Sequence, residues 1–398
     1  MHPSQAIYGA KDLKLKGKKI VLGITGSIAA IECVELAREL IRHGAEVQAV
    51  MTSEALKILT PWSMEFATGR PVVTEIDGRV QHVDLFGDSP DRADLLLIAP
   101  CTANTISKIA CGIDDTTVTT MATVAIGSKV PVLIAPAMHA SMYDNPFVKK
   151  NIGILRDAGI RFVGPRFEGG KAKIADKEHI VEAVIRVLGD HTYKGKRVLV
   201  IGGSSEEMID DMRLISNRGT GETAVELAKA AYEKGATVEL WMGRCSVPLP
   251  SFLNVKRFRT VEDLVKMVDQ VDHDLVIVPA ALSDYGPVKK KGKVPSDKGA
   301  MRLELRPLPK VLPLLCASGT KVIGFKAESG AGEADLAKIA TDRCLRSGAD
   351  AMVANDLSDV GPGFTKVMYV EKDGAVTPIE GTKSSVARQI LDLARRLL

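Results

Sequence analysis

Short strings of glycine, hydroxyl and amide residues follow two apolar runs in the first half of this 398-residue chain. Residues 20–24 lead into a Thr-Gly-Ser turn at 25–27, and residues 95–99 lead into a Cys-Thr-Ala-Asn string. Free backbone N–H groups at the start of a helix bind phosphate. The first turn lacks the full dinucleotide fingerprint, so it favours a monophosphate nucleotide such as FMN. Glycines that only let a strand and a helix pack closely would give the same turn.

The chain repeats the pattern of strand, helix and strand that positions such a turn. Residues 20–24 and 198–201 each follow a basic string that contains glycine, and helical spacing of apolar residues follows both runs. Each helix ends at a glycine, Gly44 or Gly235, where a C-terminal cap belongs. Further apolar runs predict strands at residues 47–51, 95–99, 132–135, 238–242, 275–278, 322–325 and 351–354.

These elements predict an α/β protein of two doubly wound, Rossmann-like domains. We place the boundary in the polar segment 189–196, which gives domains of residues 1–190 and 191–398. The two units differ in length, because Gly17 to Gly44 spans 27 positions and Gly195 to Gly235 spans 40, a difference of 13. The extra residues lie near 206–221, between strand and helix, where an open parallel sheet binds its ligand.

Composition excludes several classes of protein. A net charge of +4, from 53 basic and 49 acidic side chains, is too balanced for a nucleic-acid-binding protein. The six cysteines form no CxxC pair, so neither a zinc site nor a disulfide framework is indicated, and a reducing compartment is expected. No signal segment and no run of about 20 apolar residues is present, so we expect a cytoplasmic protein with no membrane partner.

Four strings of the first half carry a family resemblance. Residues 24–30, 99–105, 112–115 and 135–143 resemble the flavin-containing cysteine decarboxylases, and the likeness covers most of residues 17–188. The resemblance implies a flavodoxin-like fold, FMN as cofactor, and decarboxylation of 4′-phosphopantothenoylcysteine to 4′-phosphopantetheine. It assigns cofactor binding to Gly26, Ser27, Thr52, Ser53, Cys101, Thr102, Ala103 and Asn104.

Further residues of this half receive roles from the same resemblance. His82 matches the catalytic histidine and would act as acid or base; without the family, a hydrogen-bonded core or loop histidine is the simpler interpretation. His139 and Met142 would bind the substrate, although the family has asparagine where this chain has His139. The family's flap cysteine is missing from residues 165–176. Lys171 or Lys173 would replace it as proton donor, unless both are only solvated surface lysines.

The 13 extra residues of the second half resemble the Ile-Ser-Asn-Arg segment of phosphopantothenate–cysteine ligase. An Asn-Arg-Gly turn in a surface loop is the plain alternative. The resemblance implies that Asn217 helps to turn over an acyl-cytidylate, and Arg213 or Arg218 would meet an anionic group.

The ligase resemblance also assigns a nucleotide site. Asp284 would contact the nucleotide or its Mg²⁺, and Lys293 would supply charge to the phosphates and take part in catalysis, although the lysines 289–293 also suit a solvated loop. CTP is favoured as co-substrate, with ATP left open. The remaining matched residues are Val278, Pro279, Ala280, Pro309, Lys310, Val311, Leu312 and Phe325, with Arg343 and Arg346 matched only loosely.

Both motif sets in one chain predict a bifunctional enzyme of coenzyme A biosynthesis that joins cysteine to 4′-phosphopantothenate and then decarboxylates the product. Two alternatives remain: a ligase fused to a flavoprotein decarboxylase of other specificity, and a Hal3-like regulatory protein that binds FMN without turnover. The resemblance also implies homo-oligomers, with trimers of the flavin domain and dimers of the ligase domain, up to a dodecamer. Apolar residues around Trp62, Met64 and Phe66 suit such a contact, although core packing explains any one of them as well.

Overall fold

A computed structural model describes residues 2–295, 299–356 and 364–398. The chain forms two compact units, Met1–Gly189 and Asp190–Leu398, which we call unit 1 and unit 2. Each unit is described by itself.

Unit 1 is built on a five-stranded parallel sheet in the order β2-β1-β3-β4-β6. Flavodoxin-like sheets have this order, in which β2 lies on one side of β1 and the later strands are added on the other side, from β3 onwards. A second, antiparallel sheet has the order β5-β8-β7. The strands are β1 Lys19–Ile24, β2 Glu46–Met51, β3 Leu95–Cys101, β4 Val132–Pro136, β5 Met138–His139, β6 Arg161–Phe162, β7 Arg166–Glu168 and β8 Lys171–Lys173.

Helices cover both faces of the five-stranded sheet. Because side chains alternate along a strand, Ile20 and Leu22 of β1 enter one apolar cluster and Val21 enters the cluster on the opposite face. The helices are α1 Pro3–Ala6, α2 Cys33–Arg42, α3 Ser53–Leu56, α4 Pro61–Thr68, α5 Gln81–Phe86, α6 Ala103–Ala110, α7 Thr117–Gly127, α8 Ala140–Tyr143, α9 Pro146–Asp157 and α10 Lys177–Leu188.

Unit 2 contains an eight-stranded sheet in the order β13-β12-β9-β14-β17-β18-β19-β20. The first six strands are parallel, and they follow the strand order of dinucleotide-binding folds. Strand β19 is antiparallel to β18, and β20 is antiparallel to β19. The strands are β9 Arg197–Gly202, β10 Glu206–Met208, β11 Leu214–Ser216, β12 Thr237–Met242, β13 Asn254–Arg257, β14 Leu275–Val278, β15 Tyr285–Pro287, β16 Leu305–Pro307, β17 Lys321–Glu328, β18 Ala351–Asp356, β19 Phe364–Glu371 and β20 Val376–Thr382.

The helices of unit 2 are α11 Glu222–Glu233, α12 Val261–Met267, α13 Val311–Ala317, α14 Glu333–Ser347 and α15 Lys383–Ala394. The predicted fold class, α/β with two doubly wound sheets of which the first is flavodoxin-like, is confirmed. Among the residues that the structure describes, no helix has the length and apolarity needed to cross a lipid bilayer.

Two local details differ from the sequence-based expectation. The chain does not pass directly from the 25–27 turn into an α-helix, because a 3-10 segment, Ile28–Glu32, precedes α2. The extra segment of unit 2 is not an irregular loop, because β10 and β11 pair in it as an antiparallel hairpin. Glu207 lies opposite Ile215 in that pair.

Candidate active sites

Thr25 joins the two central turns of unit 1. Its Oγ1 donates to the carbonyl oxygen of Pro100 at 2.7 Å and accepts the backbone N–H of Thr102 at 3.1 Å. The neighbouring strand is tied in as well, since Thr52 N donates to Ile24 O at 3.1 Å. The turns that follow β1, β2 and β3 therefore meet at one point of the carboxyl edge, at the place where the strand order reverses.

The hydroxyl groups at these turns cap the helices that follow. Ser27 accepts from Ala29 N, Thr52 from Ala55 N and Thr102 from Thr105 N. In each case the hydroxyl satisfies one N–H of a first turn and leaves others for a ligand. Seven of the predicted FMN-binding residues border this edge: Gly26, Ser27, Thr52, Ser53, Thr102, Ala103 and Asn104.

Gly26 is required by a close approach. A Cβ at this position would lie 2.5 Å from Cβ of Glu54, so any side chain would push α3 away from the turn. The Glu54 carboxylate is paired with Lys57 at 2.7 Å. The groups offered at this edge are therefore mainly N–H and O–H donors, which suits a phosphate.

Cys101 differs from the other predicted cofactor residues because its thiol points into the core. The side chain is fully buried, and burial raises the pKa of this thiol far above its usual range. The thiol therefore stays protonated and cannot contact a cofactor at the surface. The backbone of Cys101 does reach the edge, since its carbonyl oxygen accepts Ala137 N at 3.0 Å.

His82 lies on α5, which is anchored in the core by Leu85 and Phe86. Its Nδ1 is buried and has no hydrogen-bond partner among the described residues. The described residues therefore supply no hydrogen bond at Nδ1 of the kind that the alternative, a hydrogen-bonded core or loop histidine, requires. Within the described ranges, no hydrogen bond joins His82 to the turns at the carboxyl edge.

The segment predicted as a flap is a β-hairpin. Strands β7 and β8 pair through a Gly169-Gly170 turn, and both glycines have positive φ, +56° and +70°. The hairpin adds to β5, so that Lys171 lies directly opposite His139. The ring of Phe167 in β7 also makes an edge contact with the ring of Tyr143 at the end of α8, with centroids 5.4 Å apart.

The two candidate flap lysines have different surroundings. Lys173 forms an ion pair with Glu168 at 3.1 Å, whereas the ammonium of Lys171 has no hydrogen-bond or ion-pair partner within the described part of the chain. His139 caps α8, because its Nδ1 accepts from Ser141 N. Met142, the other predicted substrate residue, is exposed nearby on α8.

In unit 2, two consecutive buried serines after β9 hold the site together. Ser204 Oγ accepts Gly219 N at 3.0 Å, and Ser205 Oγ accepts Ser283 N at 3.0 Å. Ser216 Oγ donates to Ser205 O at 2.7 Å. The serines therefore bind both the extra segment of unit 2 and the turn that follows β14.

Asn217 lies at the meeting point of the same two turns. Its Nδ2 donates to Ala281 O at 3.1 Å, which leaves the side-chain oxygen and one N–H for a ligand. Gly219 is needed beside it, because a Cβ there would lie 2.5 Å from Ser204 Oγ. Arg218 is exposed and has no hydrogen-bond partner among the residues described.

Arg213 does not match its predicted role as an anion-binding residue. Its Nη1 forms an ion pair with the fully buried carboxylate of Asp210 at 2.8 Å and donates to Val294 O at 3.0 Å. A guanidinium committed to an internal carboxylate has little charge to offer a ligand. We therefore assign Arg213 a structural role and leave Arg218 as the candidate.

Lys293 lies in the segment that contacts Asp210. Val294 N donates to Asp210 Oδ2 at 3.1 Å, and Gly292 N donates to Asp211 Oδ2 at 2.9 Å. The Lys293 side chain is exposed and, within the ranges that the structure covers, has no partner of its own. A free ammonium on an anchored backbone suits phosphate binding.

Asp284 and Lys310, both predicted to bind the nucleotide, form an ion pair with each other. The hairpin of β15 and β16 brings them together, and Leu308 N donates to Asp284 O at 2.9 Å. In the described residues there is no cluster of three His, Cys, Asp or Glu side chains that would hold a metal ion. Asp284 is therefore a single-carboxylate candidate for a metal ligand, and a metal ion would have to replace Lys310 as its partner.

The apolar residues of the predicted nucleotide site divide into two groups. Val278 and Val311 are buried in a core cluster, so only their backbone atoms can face a ligand. The others are partly buried or exposed beside the carboxyl edge: Pro279, Ala280, Pro309, Leu312 and Phe325.

Arg343 and Arg346 lie away from this edge. Helix α14 begins beside the carboxyl end of β18, where Ala331 N donates to Asp356 Oδ2 at 2.6 Å. Arg343 is ten residues after the first residue of that helix, which places it about 15 Å farther along. Contrary to our expectation, the structure does not bring these two arginines together with the other residues.

Sequence reasoning gave no role to Thr25, Ser204, Ser205 or Asp210. A signal existed for the serines, because Ser204-Ser205 of the second half occupies the place of Gly26-Ser27 in the first half when Gly195 is aligned with Gly17. For Asp210 the signal was an aspartate just before a turn, where its carboxylate accepts the next N–H groups.

Comparisons with known proteins agree with this division of the chain. The family model described as Flavoprotein matches residues 9–189, and the one described as DNA/pantothenate metabolism flavoprotein C-terminal domain matches residues 193–397. The coenzyme A biosynthesis bifunctional protein CoaBC of Thermococcus kodakarensis is 47% identical over 406 residues, with 100% of both chains covered. The protein of that name from Methanocaldococcus jannaschii is 38% identical over 405 residues, covering 100% of this chain and 98% of the other. A solved structure of the FMN-dependent cysteine decarboxylase SpaF is 31% identical and covers 44% of this chain and 99% of its own, with a TM-score of 0.39.

Proposed function

The chain belongs to the CoaBC family of bifunctional coenzyme A biosynthesis proteins, and from this premise we propose that it performs two consecutive reactions. Unit 2 joins cysteine to 4′-phosphopantothenate at the expense of a nucleoside triphosphate. Unit 1 then decarboxylates 4′-phosphopantothenoylcysteine to 4′-phosphopantetheine. One observation carries the proposal: each sheet brings its own set of matched residues to its carboxyl edge.

The ligase step requires activation of a carboxylate. The phosphopantothenate carboxylate attacks the α-phosphorus of the triphosphate, pyrophosphate leaves, and the acyl-nucleotidylate is attacked by the cysteine amine, which releases the nucleoside monophosphate. Lys293 supplies positive charge to the phosphates, and the free amide atoms of Asn217 hydrogen-bond the acyl phosphate as the amine attacks. Arg218 is the remaining candidate for the substrate's phosphate.

We propose CTP as the co-substrate, with Mg²⁺ carried by its phosphates. Magnesium is commonly held by one or two carboxylates together with substrate phosphates, so the single carboxylate of Asp284 is a sufficient protein ligand. Its ion pair with Lys310 would then open, and the Lys310 ammonium would turn to the phosphates. The residues present therefore fit a metal that arrives with the nucleotide.

The carboxyl edge of unit 1 fits FMN. The turns at Ser27, Thr52 and Thr102 offer hydroxyl and N–H donors, and Gly26 keeps the first turn close to α3. When bound, FMN supplies the two-electron oxidation of the cysteinyl carbon that makes loss of the carboxylate feasible, and returns the electrons afterwards.

The protein residues of unit 1 bind the substrate and move protons. His139 binds the substrate carboxylate by donating from its ring, whose Nδ1 lies 3.0 Å from Ser141 Oγ at the start of α8. Lys171, opposite His139 on the flap, delivers the proton that the family's flap cysteine would supply. His82 acts as acid or base towards the substrate thiol.

We further propose a homo-oligomer in the cytoplasm, with trimers of unit 1 and dimers of unit 2, up to a dodecamer. The exposed face of α4 supports a contact, because the side chains of Trp62 and Phe66 are exposed by 81% and 52%. Met64 does not take part, since it is buried in the core of unit 1. All six cysteines are free, as the reducing compartment requires.

One experiment separates the three functional interpretations. Purified protein loaded with FMN is incubated with 4′-phosphopantothenate, cysteine, Mg²⁺ and either CTP or ATP, and products are followed by mass. Formation of 4′-phosphopantetheine supports both reactions. Accumulation of 4′-phosphopantothenoylcysteine would leave a ligase fused to a different decarboxylase, and an unchanged substrate would leave a regulatory flavoprotein.

A further inference from the structure

The tip of the β10–β11 hairpin, residues 209–213, is bonded to a remote segment, residues 290–294, which we call the lysine segment. Lys290 N donates to Ile209 O at 2.9 Å, and Asp211 N donates to Gly292 O at 3.3 Å. The backbones therefore run side by side over several residues although about 80 residues separate them in the chain.

Two consecutive carboxylates hold the lysine segment on both sides of one residue. Asp211 Oδ2 accepts Gly292 N at 2.9 Å, and Asp210 Oδ2 accepts Val294 N at 3.1 Å. The residue between them is Lys293, the residue proposed to bind the phosphates. Its backbone is thus anchored at both neighbours, while its side chain is exposed.

Asp210 is the central group of this contact. Its Oδ1 accepts Met212 N at 2.7 Å and Arg213 N at 2.6 Å, and its Oδ2 accepts Arg213 Nη1 at 2.8 Å besides Val294 N. The carboxylate is fully buried, and each of its two oxygens accepts two hydrogen bonds, so its burial is compensated. Such a carboxylate has one allowed orientation, and it fixes the position of Val294.

The same hairpin is anchored at its base beside the other predicted ligase residue. Ser216 Oγ donates to Ser205 O at 2.7 Å, and Asn217, the next residue, donates to Ala281 O at 3.1 Å. One short hairpin therefore carries Asn217 at one end and holds the lysine segment at the other.

We propose that Asp210 is a positioning residue of the ligase: by fixing Val294 it sets where the Lys293 ammonium meets the triphosphate relative to Asn217. The inference rests on the proposed ligase function. It deepens that function because Asp210 itself does not touch the substrate. Arg213 acts with Asp210, since it binds both the carboxylate and Val294 O.

A purely structural role in the core of unit 2 is the alternative, and the location of Asp210 argues against it. None of the apolar clusters of the described residues includes Asp210 or its neighbour Ile209. Replacement of Asp210 should therefore loosen the lysine segment without disturbing the packed sheet.

A double-mutant cycle tests the proposal. Asp210→Asn keeps the size of the side chain but sets an NH₂ group against N–H donors, and we expect kcat/KM for CTP to fall about 10²-fold, as for a misplaced catalytic group. Because Asp210 acts through Lys293, Asp210→Asn should lower the activity of Lys293→Ala by no more than about twofold. The matched control is Asp269→Asn, an exposed aspartate of unit 2, which should keep the wild-type rate.

The inference is overturned if the two effects multiply in the double variant, or if Lys293→Ala retains wild-type activity. A readout without turnover separates it from the proposed function: amide hydrogen exchange of a peptide that covers residues 286–295 should be faster in Asp210→Asn, and a peptide from β9 should be unchanged. Unchanged exchange at 286–295 contradicts the inference whatever the activity. Wild-type protein without ligase activity contradicts the proposed function instead.

Discussion

His139 lies directly opposite Lys171 in the antiparallel pair of β5 and β8, and Ala140 N donates to Gly170 O across the same contact. Side chains of directly opposed residues in such a pair lie on one face, with their Cβ atoms about 5 Å apart. The flap hairpin therefore places Lys171 next to the histidine that stands where the family has asparagine. This relationship places side by side the two residues that we propose as carboxylate-binding group and proton donor.

Replacement of the flap lysine should slow decarboxylation. We expect Lys171→Ala to lower kcat for conversion of 4′-phosphopantothenoylcysteine about 10²-fold or more, as for loss of a general acid. Lys173→Ala is the control, because that lysine is paired with Glu168 and should keep nearly the full rate. Product formation by mass spectrometry measures both. Wild-type rates in both variants would show that neither lysine donates the proton.

Substitution of His139 should affect substrate binding. His139→Ala removes a hydrogen bond to a charged carboxylate, so KM for 4′-phosphopantothenoylcysteine should rise about tenfold or more. His139→Asn returns the family's residue and an amide donor, and it should retain most of the affinity. Steady-state kinetics of the two variants distinguish these results. An unchanged KM in His139→Ala would remove the residue from the substrate site.

Asn217 should be needed after the activation step. Asn217→Ala leaves the acyl phosphate without its amide contact, and we expect a fall in kcat of about 10²-fold with accumulation of the acyl-cytidylate. Rapid quench followed by mass analysis detects that intermediate. Asn254→Ala, at an exposed amide of β13, is the matched control. Loss of both activation and amide formation would contradict a role confined to the second step.

The surroundings of Asp210 predict an acid dependence of the stability of unit 2. Burial opposes its ionisation, but the backbone N–H groups of Met212, Val294 and Arg213, together with the Arg213 charge, outweigh burial and lower its pKa to about 2. Of the charged groups nearby, Asp211 acts in the opposite direction to Arg213. Since the folded pKa lies below the unfolded value of about 3.9, the contribution is complete only above about pH 5 and is lost progressively as the pH falls towards 2.

Urea unfolding at several pH values checks this dependence. Trp241 is fully buried in unit 2 and reports on that unit, whereas Trp62 of unit 1 is already exposed. The difference in unfolding free energy between wild type and Asp210→Asn should be constant from pH 7 to about pH 5 and should narrow below it. If the two proteins differed in unfolding free energy by the same amount at pH 3 and pH 7, the lowered pKa of Asp210 would be contradicted.

The sequence carried enough information for the sheets and for the residues at their edges. Alternating burial, as at Ile20, Val21 and Leu22, and glycine caps such as Gly44 follow from local patterns, and both were predictable. The motif strings singled out Ser27, Thr102 and Asn217, and each lies between a strand and the helix that follows it. Local patterns therefore located the edge at which each proposed site is built.

Contacts between distant segments were not predictable in the same way. Arg213 and Asp210 are only three residues apart, but both also bond the backbone of Val294, about 80 residues later, and a local pattern does not reveal that Arg213 is used in this way. Cys101 was assigned by its place in a motif, whereas both faces of β3 are buried and its thiol therefore enters the apolar core. Arg343 was assigned by a loose match, and only the length and direction of α14 show that it lies away from the edge.

The most direct test of the central claim uses cysteine labelled with ¹³C in its carboxyl group. FMN-loaded protein with 4′-phosphopantothenate, CTP and Mg²⁺ should release pyrophosphate first, then ¹³CO₂, and should yield unlabelled 4′-phosphopantetheine in equal amount. Pyrophosphate release with all of the ¹³C retained in 4′-phosphopantothenoylcysteine would contradict the claim that one chain performs both reactions.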